Sequence, residues 1–158
     1  VENKRFSNKN IFQVVQLGEG ENGQIKSWRC PLLVFVLEGD ISFKTKGKSY
    51  HLMPGDMFPV QAGRSLSIEA MDDSLLLTCR LDRSSLALLS PFQSQILWLV
   101  DSVLPVKKLE FLFEKELKFI AQSLQTEELQ SKDYQKLKRQ QMCLLLRHYY
   151  TDEEEEEE

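Results

Sequence analysis

One change of period divides this chain. From Ile11 to Leu81, short segments rich in Val, Ile, Phe, Tyr and Leu are separated by Gly, Pro, Asn and Asp, at the roughly 8 to 12 residue spacing of an antiparallel sandwich or barrel. Strands are predicted near 11–17, 24–30, 32–38, 41–46, 49–53, 56–60, 65–70 and 74–81. Ile41 and Phe43 alternate with Ser42 and Lys44, and Tyr50 and Leu52 alternate with Ser49 and His51, which gives one dry and one wet face. Gly47 between them supplies the positive φ of a tight hairpin. "LLLTCRL" is apolar at nearly every position and so belongs in the middle of a sheet covered on both faces.

After Asp82 the repeat becomes helical. Phe92, Ile96, Leu99, Val100 and Val103 form one apolar stripe, and Leu109, Phe113, Leu117, Ile120 and Leu124 form another. Pro91 and Pro105 fall where these helices would begin. A third helix follows a cap at Ser131 or Asp133 and aligns Met142, Leu145, Leu146 and Tyr149 as a packing face, with Lys136, Lys138 and Arg139 turned elsewhere. The expected layout is an antiparallel sandwich or barrel over 1–82, a helical segment over 83–151 packed on it or on a partner, and a solvated, disordered acidic tail over 152–158.

The chain has 158 residues, enough for one domain that buries roughly 70% of its unfolded surface. Its longest apolar runs, "PLLVFVL" and "MCLLL", are far short of the ~20 residues that cross a bilayer, so no membrane partner is expected. No signal peptide is visible at "VENKRFSNKN", and the cytoplasm is the expected compartment. The net charge of −4 is more than accounted for by the six terminal glutamates, so it says nothing about partners of the folded part. Cys30, Cys79 and Cys143 are odd in number and never spaced as CxxC, which favours buried free thiols over a disulfide framework or a zinc site.

Few residues read as chemistry. His51 and His148 lack a second ligand at metal spacing and are read as a solvated strand residue and a helix-end cation. "GEGENG" does not sit between a strand and a helix, so it is a surface turn and not a phosphate loop. Ser84, Ser85 and Ser90 have no neighbouring base and are read as helix caps. Glu38 and Asp40 flank Gly39 in a turn. The cations of "KLKRQQ" lack the interleaved aromatics of a nucleic-acid platform.

The stretch "FVLEGDISFKTKGKSYHLMPGDMFPVQAG" resembles the cupin superfamily, with a strand ending in Leu-Glu-Gly, a hairpin, and a second strand ending in Pro-Gly-Asp. The resemblance implies a double-stranded β-helix, a jelly-roll barrel, followed by helices. It also maps the ligand positions of metal cupins near Lys26, Trp28, Leu32 and Phe58, none a credible metal ligand, so these four become candidate barrel-lining residues for an organic ligand. No metal, no other cofactor and no catalysis are expected. "DYQKLKRQQMCLLLRHYYT" in turn resembles the helical segment that follows the sensor domain in AraC-type transcriptional regulators of Bacteroidetes. That implies a regulatory domain that senses a small-molecule effector or sets a homodimer, and reaches DNA only through a domain lying outside this chain. The alternatives are a stand-alone metal-free cupin acting on or binding a small carbohydrate-like molecule, with Lys26, Tyr50 and His51 as its thin set of titratable groups, and a purely structural module.

Overall fold

The computed structural model describes residues 4–6, 10–45, 47–89, 104–105, 111–126 and 131–157. In chain order the elements are β1 (Lys4–Phe6), β2 (Phe12–Leu17), β3 (Asn22–Lys26), β4 (Leu32–Glu38), β5 (Ile41–Thr45), β6 (Lys48–Leu52), β7 (Asp56–Val60), β8 (Ser65–Ala70), β9 (Ser74–Arg80), α1 (Arg83–Leu88), β10 (Leu104–Pro105), α2 (Phe111–Ser123) and α3 (Lys132–Glu157). The strands form two five-stranded sheets, sheet A in the order β1-β3-β8-β5-β6 and sheet B in the order β10-β7-β4-β9-β2.

The closed jelly-roll barrel expected from the sequence is not what forms. Both sheets are open: β1 and β6 end sheet A, and β10 and β2 end sheet B. The chain changes sheet at nearly every connection, and it does so through corners that do not carry the hydrogen-bonded ladder around. The corner at Gly39 (φ 95°) lies so close to the β8–β9 turn that a Cβ there would run into Ser74 Oγ and come within 2.5 Å of the Asp73 carbonyl. Leu-Glu-Gly therefore ends in glycine because nothing larger fits.

Alternation decides what each sheet buries. On β4, Leu32, Val34 and Val36 face sheet A, while Leu33, Phe35 and Leu37 face the helices, so an unbroken apolar strand serves two cores. β9 lies between β4 and β2 as its composition requires, sending Leu76 to one core and Leu77 and Cys79 to the other. Sheet A is covered on one face only. Ile25, Ile41, Phe43, Leu52, Leu66, Ile68 and Ala70 point inward, and the intervening residues are polar. The β5–β6 hairpin pairs Phe43 with Tyr50 and Ile41 with Leu52, and turns at Gly47 (φ 78°).

The helices cap the other face of sheet B with Leu89, Leu117, Ile120, Ala121, Met142, Cys143 and Leu146. The N-terminus of α3 is capped by Ser131, whose Oγ accepts from Tyr134 N at 3.2 Å. Its buried stripe is Met142, Cys143 and Leu146, with Leu145 half-buried; the side chain of Tyr149 lies outside the described residues. The acidic stretch is no separate tail: α3 runs on through Glu157, in keeping with the good helix propensity of glutamate and against the unfavourable sign of its charge at a helix C-terminus. Pro105 does not start a helix. It pairs with Asp56 in β10, and α2 begins at Phe111. The helix predicted over Phe92 to Val103 and the residue Leu109 lie outside the described residues. No helix among the described residues is long and apolar enough to cross a membrane.

Candidate functional site

The four residues expected to line a barrel separate into two pairs. Leu32 and Phe58 are buried between the sheets, at 1% and 4% exposure. Phe58 packs edge-on against Phe43 with ring centroids 4.6 Å apart, and Phe43 stacks on Tyr50 at 5.2 Å. These rings fill the space beneath the β5–β6 hairpin with carbon. Lys26 and Trp28 are elsewhere. Ile25 takes the inward position on β3, so Lys26 must face out. The strand expected to reach residue 30 stops at Lys26, because the buried Ser27 turns its hydroxyl onto the carbonyls of Gln61 and Arg64 and accepts from Arg64 N at 3.2 Å. Trp28 follows that break, 48% exposed, with the Lys26 ammonium 4.4 Å from its ring centroid.

The Pro-Gly-Asp turn is accounted for by the backbone. Asp56 N donates to the Met53 carbonyl at 2.9 Å, Met53 N donates to Asp56 Oδ2 at 2.8 Å, and Gly55 holds φ 97°. Among the described residues no three His, Cys, Asp or Glu side chains gather as metal ligands would. His51 Nδ1 lies 3.5 Å from Asp40 Oδ1 on the solvent side of sheet A. The side chain of His148 is outside the described residues.

Two arrangements remain with functional content. The first is the outer face of sheet A. Register sets Ser42 beside both Glu69 and His51, Asn22 beside Glu69, Gln24 beside Ser67, and Lys26 beside Ser65. Asn22, Ser42, Lys44, Ser67 and Glu69 line a groove of about 320 Å³ across β3, β8 and β5. Hydroxyl, amide, ammonium and carboxylate groups thus share one surface, and the Lys26–Trp28 pair lies outside the groove, at the opposite end of β3 from Asn22. The residue types on this face were legible as the polar half of each alternating strand. What the sequence did not show was which strands lie side by side, since β3, β8 and β5 are not consecutive.

The second is the joint between sheet B and α3. Arg139, read from the sequence as facing away from the packing stripe, is 4% exposed. Its Nη1 donates to the Arg80 carbonyl at 3.0 Å and its Nη2 to Asp82 Oδ2 at 2.8 Å. Asp82 is also the N-cap of α1, its Oδ1 accepting from Ser85 N (2.9 Å), Ser85 Oγ (2.7 Å) and Ser84 Oγ (2.9 Å). The cap is therefore Asp82, and Ser84 and Ser85, expected to cap, donate to it; Ser90 lies outside the described residues. Burial by itself would raise the Asp82 pKa, but the hydrogen bonds from Ser85 and Ser84 and the charge of Arg139 outweigh it and bring the carboxyl down to about 2. Cys79 and Cys143 are buried in the same core. Burial pushes the Cys143 thiol up to about 12 and Cys79 well above its ordinary value, so both are protonated and inert at neutral pH. The signal for Arg139 was present: 139, 142, 143 and 146 fall at i, i+3, i+4, i+7, and Asp82 sits three residues before Ser85.

No protein-family model matches this chain, and no curated protein matches it. Solved structures that share part of the fold include the Drosophila melanogaster CENP-C cupin domain, at 19% identity and TM-score 0.40 over 48% of this chain and 63% of that one. A cupin domain of an XRE family transcriptional regulator from Enterobacter cloacae is 12% identical with TM-score 0.38, over 44% of this chain and 77% of that one. A cupin superfamily protein from Desulfitobacterium hafniense is 18% identical with TM-score 0.40, over 45% of this chain and 66% of that one. Likeness at this level assigns no family, and what the chain does has to be argued from its own residues.

Proposed function

We propose that this chain is a non-enzymatic recognition module that binds a small carbohydrate-like molecule on the outer face of sheet A. The observation that carries the reading is the juxtaposition on that face of Asn22, Ser42, Ser67 and Glu69 around a groove, with the half-exposed indole of Trp28 beyond Lys26, past the opposite end of β3, within reach of a ligand longer than the groove. A polyhydroxylated ligand needs this combination: donors and acceptors within one plane, and an apolar ring on which its C–H face can rest. The space between the sheets is packed with Phe43, Phe58 and Tyr50, which directs a polar ligand to the surface.

Isothermal titration against a panel of neutral mono- and oligosaccharides tests this. One member should bind, with a change in tryptophan fluorescence that disappears in Trp28→Ala, and with at least about tenfold weaker binding in Ser67→Val. A panel without a binder, or binding untouched by both substitutions, overturns the reading.

A second reading, the effector-sensing and dimerisation domain of an AraC-type regulator, is favoured by the Arg139–Asp82 link, which ties α3 to the end of β9. On that reading the protein is a homodimer, and a bound effector changes amide exchange along α3. A monomer by light scattering at micromolar concentration, together with α3 exchange indifferent to the ligand, removes it.

A further inference from the structure

β2 is the last strand of sheet B, and its sequence, FQVVQL, contains neither charge nor proline. The corresponding edge strand of sheet A, β6, has a lysine in its sequence at 48, a residue type that discourages edge pairing. Among the described residues only Gln135 of α3 bonds to this edge, at Phe12, so the stretch from Val14 to Leu17 is a template for another strand.

The hydrogen bonds say which groups it offers. Arg80 N donates to the Ile11 carbonyl at 2.8 Å, and Thr78 Oγ1 to the Gln13 carbonyl at 3.4 Å, so the odd-numbered residues face β9. Phe12 N points the other way, donating to Gln135 Oε1 at 3.4 Å. In an antiparallel ladder the two backbone groups of a residue point to the same side, and the side alternates along the strand. The N–H and C=O of Val14 and Gln16 therefore face away from β9, as does the Phe12 carbonyl. The strand is flanked by clefts at both ends. One of about 320 Å³ lies along Asn10, Phe12, Gln13 and Val14, walled by Leu124 and Gln125 of the segment after α2 and by Gln135 of α3. The other, of about 420 Å³, starts at Gln16, Leu17 and Gly18, with Glu21 and Asp73 beside it, and runs inward over Ser74 and Leu75 of β9 to Glu38 of β4.

We infer that the β2 edge takes up an extended peptide by strand addition, antiparallel to β2, with a lysine or arginine near the N-terminal end of the peptide. An antiparallel strand places its N-terminal end beside Leu17, where Glu21 and Asp73, which accept from Gly18 N at 2.7 Å and Glu19 N at 2.9 Å, give this end of the strand a negative sign, and its C-terminal end among the amides of Asn10, Gln125 and Gln135. Backbone pairing at Val14 and Gln16 supplies the affinity, and the charge sets the direction.

A labelled peptide of alternating Val and Thr with an N-terminal Lys is the probe. It is compared with a twin carrying Glu for Lys and with a twin methylated at alternate backbone nitrogens, which cannot pair. Fluorescence anisotropy should show binding of the Lys peptide, at least about tenfold weaker binding of the Glu twin, and none of the methylated twin. Glu21→Lys combined with Asp73→Lys should reverse the preference between the first two, and amide exchange at Val14 and Gln16 should slow on binding. Three results overturn the inference: no binding of the Lys peptide up to about 1 mM, equal binding of the methylated twin, or exchange at Val14 and Gln16 that slows with protein concentration alone. The last would place a second copy of the chain on this edge.

Discussion

Sheet B has two faces, and they meet different chemistry. Toward sheet A it contributes Val15, Leu32, Val34, Phe58 and Leu76 to an apolar core, with the buried hydroxyl of Thr78, on the Leu76 face of β9, turned onto the Gln13 carbonyl. Toward the helices it contributes Leu33, Phe35 and Leu77 to a core that also holds two thiols and, at its margin, a buried guanidinium. The first core is held by area removed from water, which is indifferent to pH and salt and tolerates no cavity. The second adds a charged link that only one position of α3 satisfies, because Arg139 must reach the Arg80 carbonyl and Asp82 Oδ2 together. A helix held by area alone can slip, whereas one pinned by a directional pair has a single register. The difference teaches that the sandwich supplies stability and the joint supplies position.

The largest effect expected is therefore on the sandwich side. Phe58→Ala removes the ring that packs edge-on against Phe43 and should cost about 3 to 5 kcal/mol in global stability, measured by urea titration. Because both cores share β4 and β9, the loss should appear in one cooperative transition. A separate helix transition in the wild-type protein would mean that the two cores do not unfold as one unit.

Asp82→Ala comes next, at about 2 to 3 kcal/mol. It deprives Arg139 of its carboxylate and α1 of its cap, although Asp82 is partly solvated, which keeps the cost below that of a fully buried pair. Hydrogen exchange should rise first in α1 and α3, leaving β4, β5 and β8 protected. Equal acceleration in the β5–β6 hairpin would show that the joint is merely one more part of a single core. Arg139→Met with Asp82→Asn should recover part of the stability, because no buried charge is then left unpaired.

These contrasts bear on what the sequence could show. The apolar run of β4 and the alternation of β5 and β6 were legible because strand period 2 maps directly onto inside and outside. The dry and wet faces at Ile41, Ser42, Phe43 and Lys44 came out as read. Barrel closure was not legible, since whether a corner carries the ladder around or drops it depends on contacts such as Gly39 against Ser74 Oγ, 35 positions away in sequence. Trp28 was placed by analogy with a ligand position, while the local parity set by Ile25, together with the hydrogen bonds of Ser27, puts it outside. Arg139 was misplaced for a different reason. Charged residues on a helix normally mark the wet face, and that rule fails when a carboxylate waits on the element beneath. Tertiary partners decided both cases, and neither partner is local.

The smallest effect is on pH dependence, and it belongs to the joint alone. Asp82 titrates at about 2 in the folded protein against an ordinary 3.8, so the native state favours the ionised carboxyl. Its contribution is fully present above the ordinary value and is lost as pH falls through the folded value, over the window from about pH 5 to pH 2. With the carboxylate partly exposed, solvent screening leaves about 1 kcal/mol of that contribution. The difference in stability between wild type and Asp82→Asn, followed by denaturant titration from pH 6 downward, should shrink by that amount across the window, whereas Phe58→Ala should keep a constant difference from wild type. A Phe58→Ala difference that also shrank would mean that charge at the joint and area in the sandwich are coupled. The clean division between a core that stabilises and a joint that positions would then have to be replaced by one network running through β4 and β9.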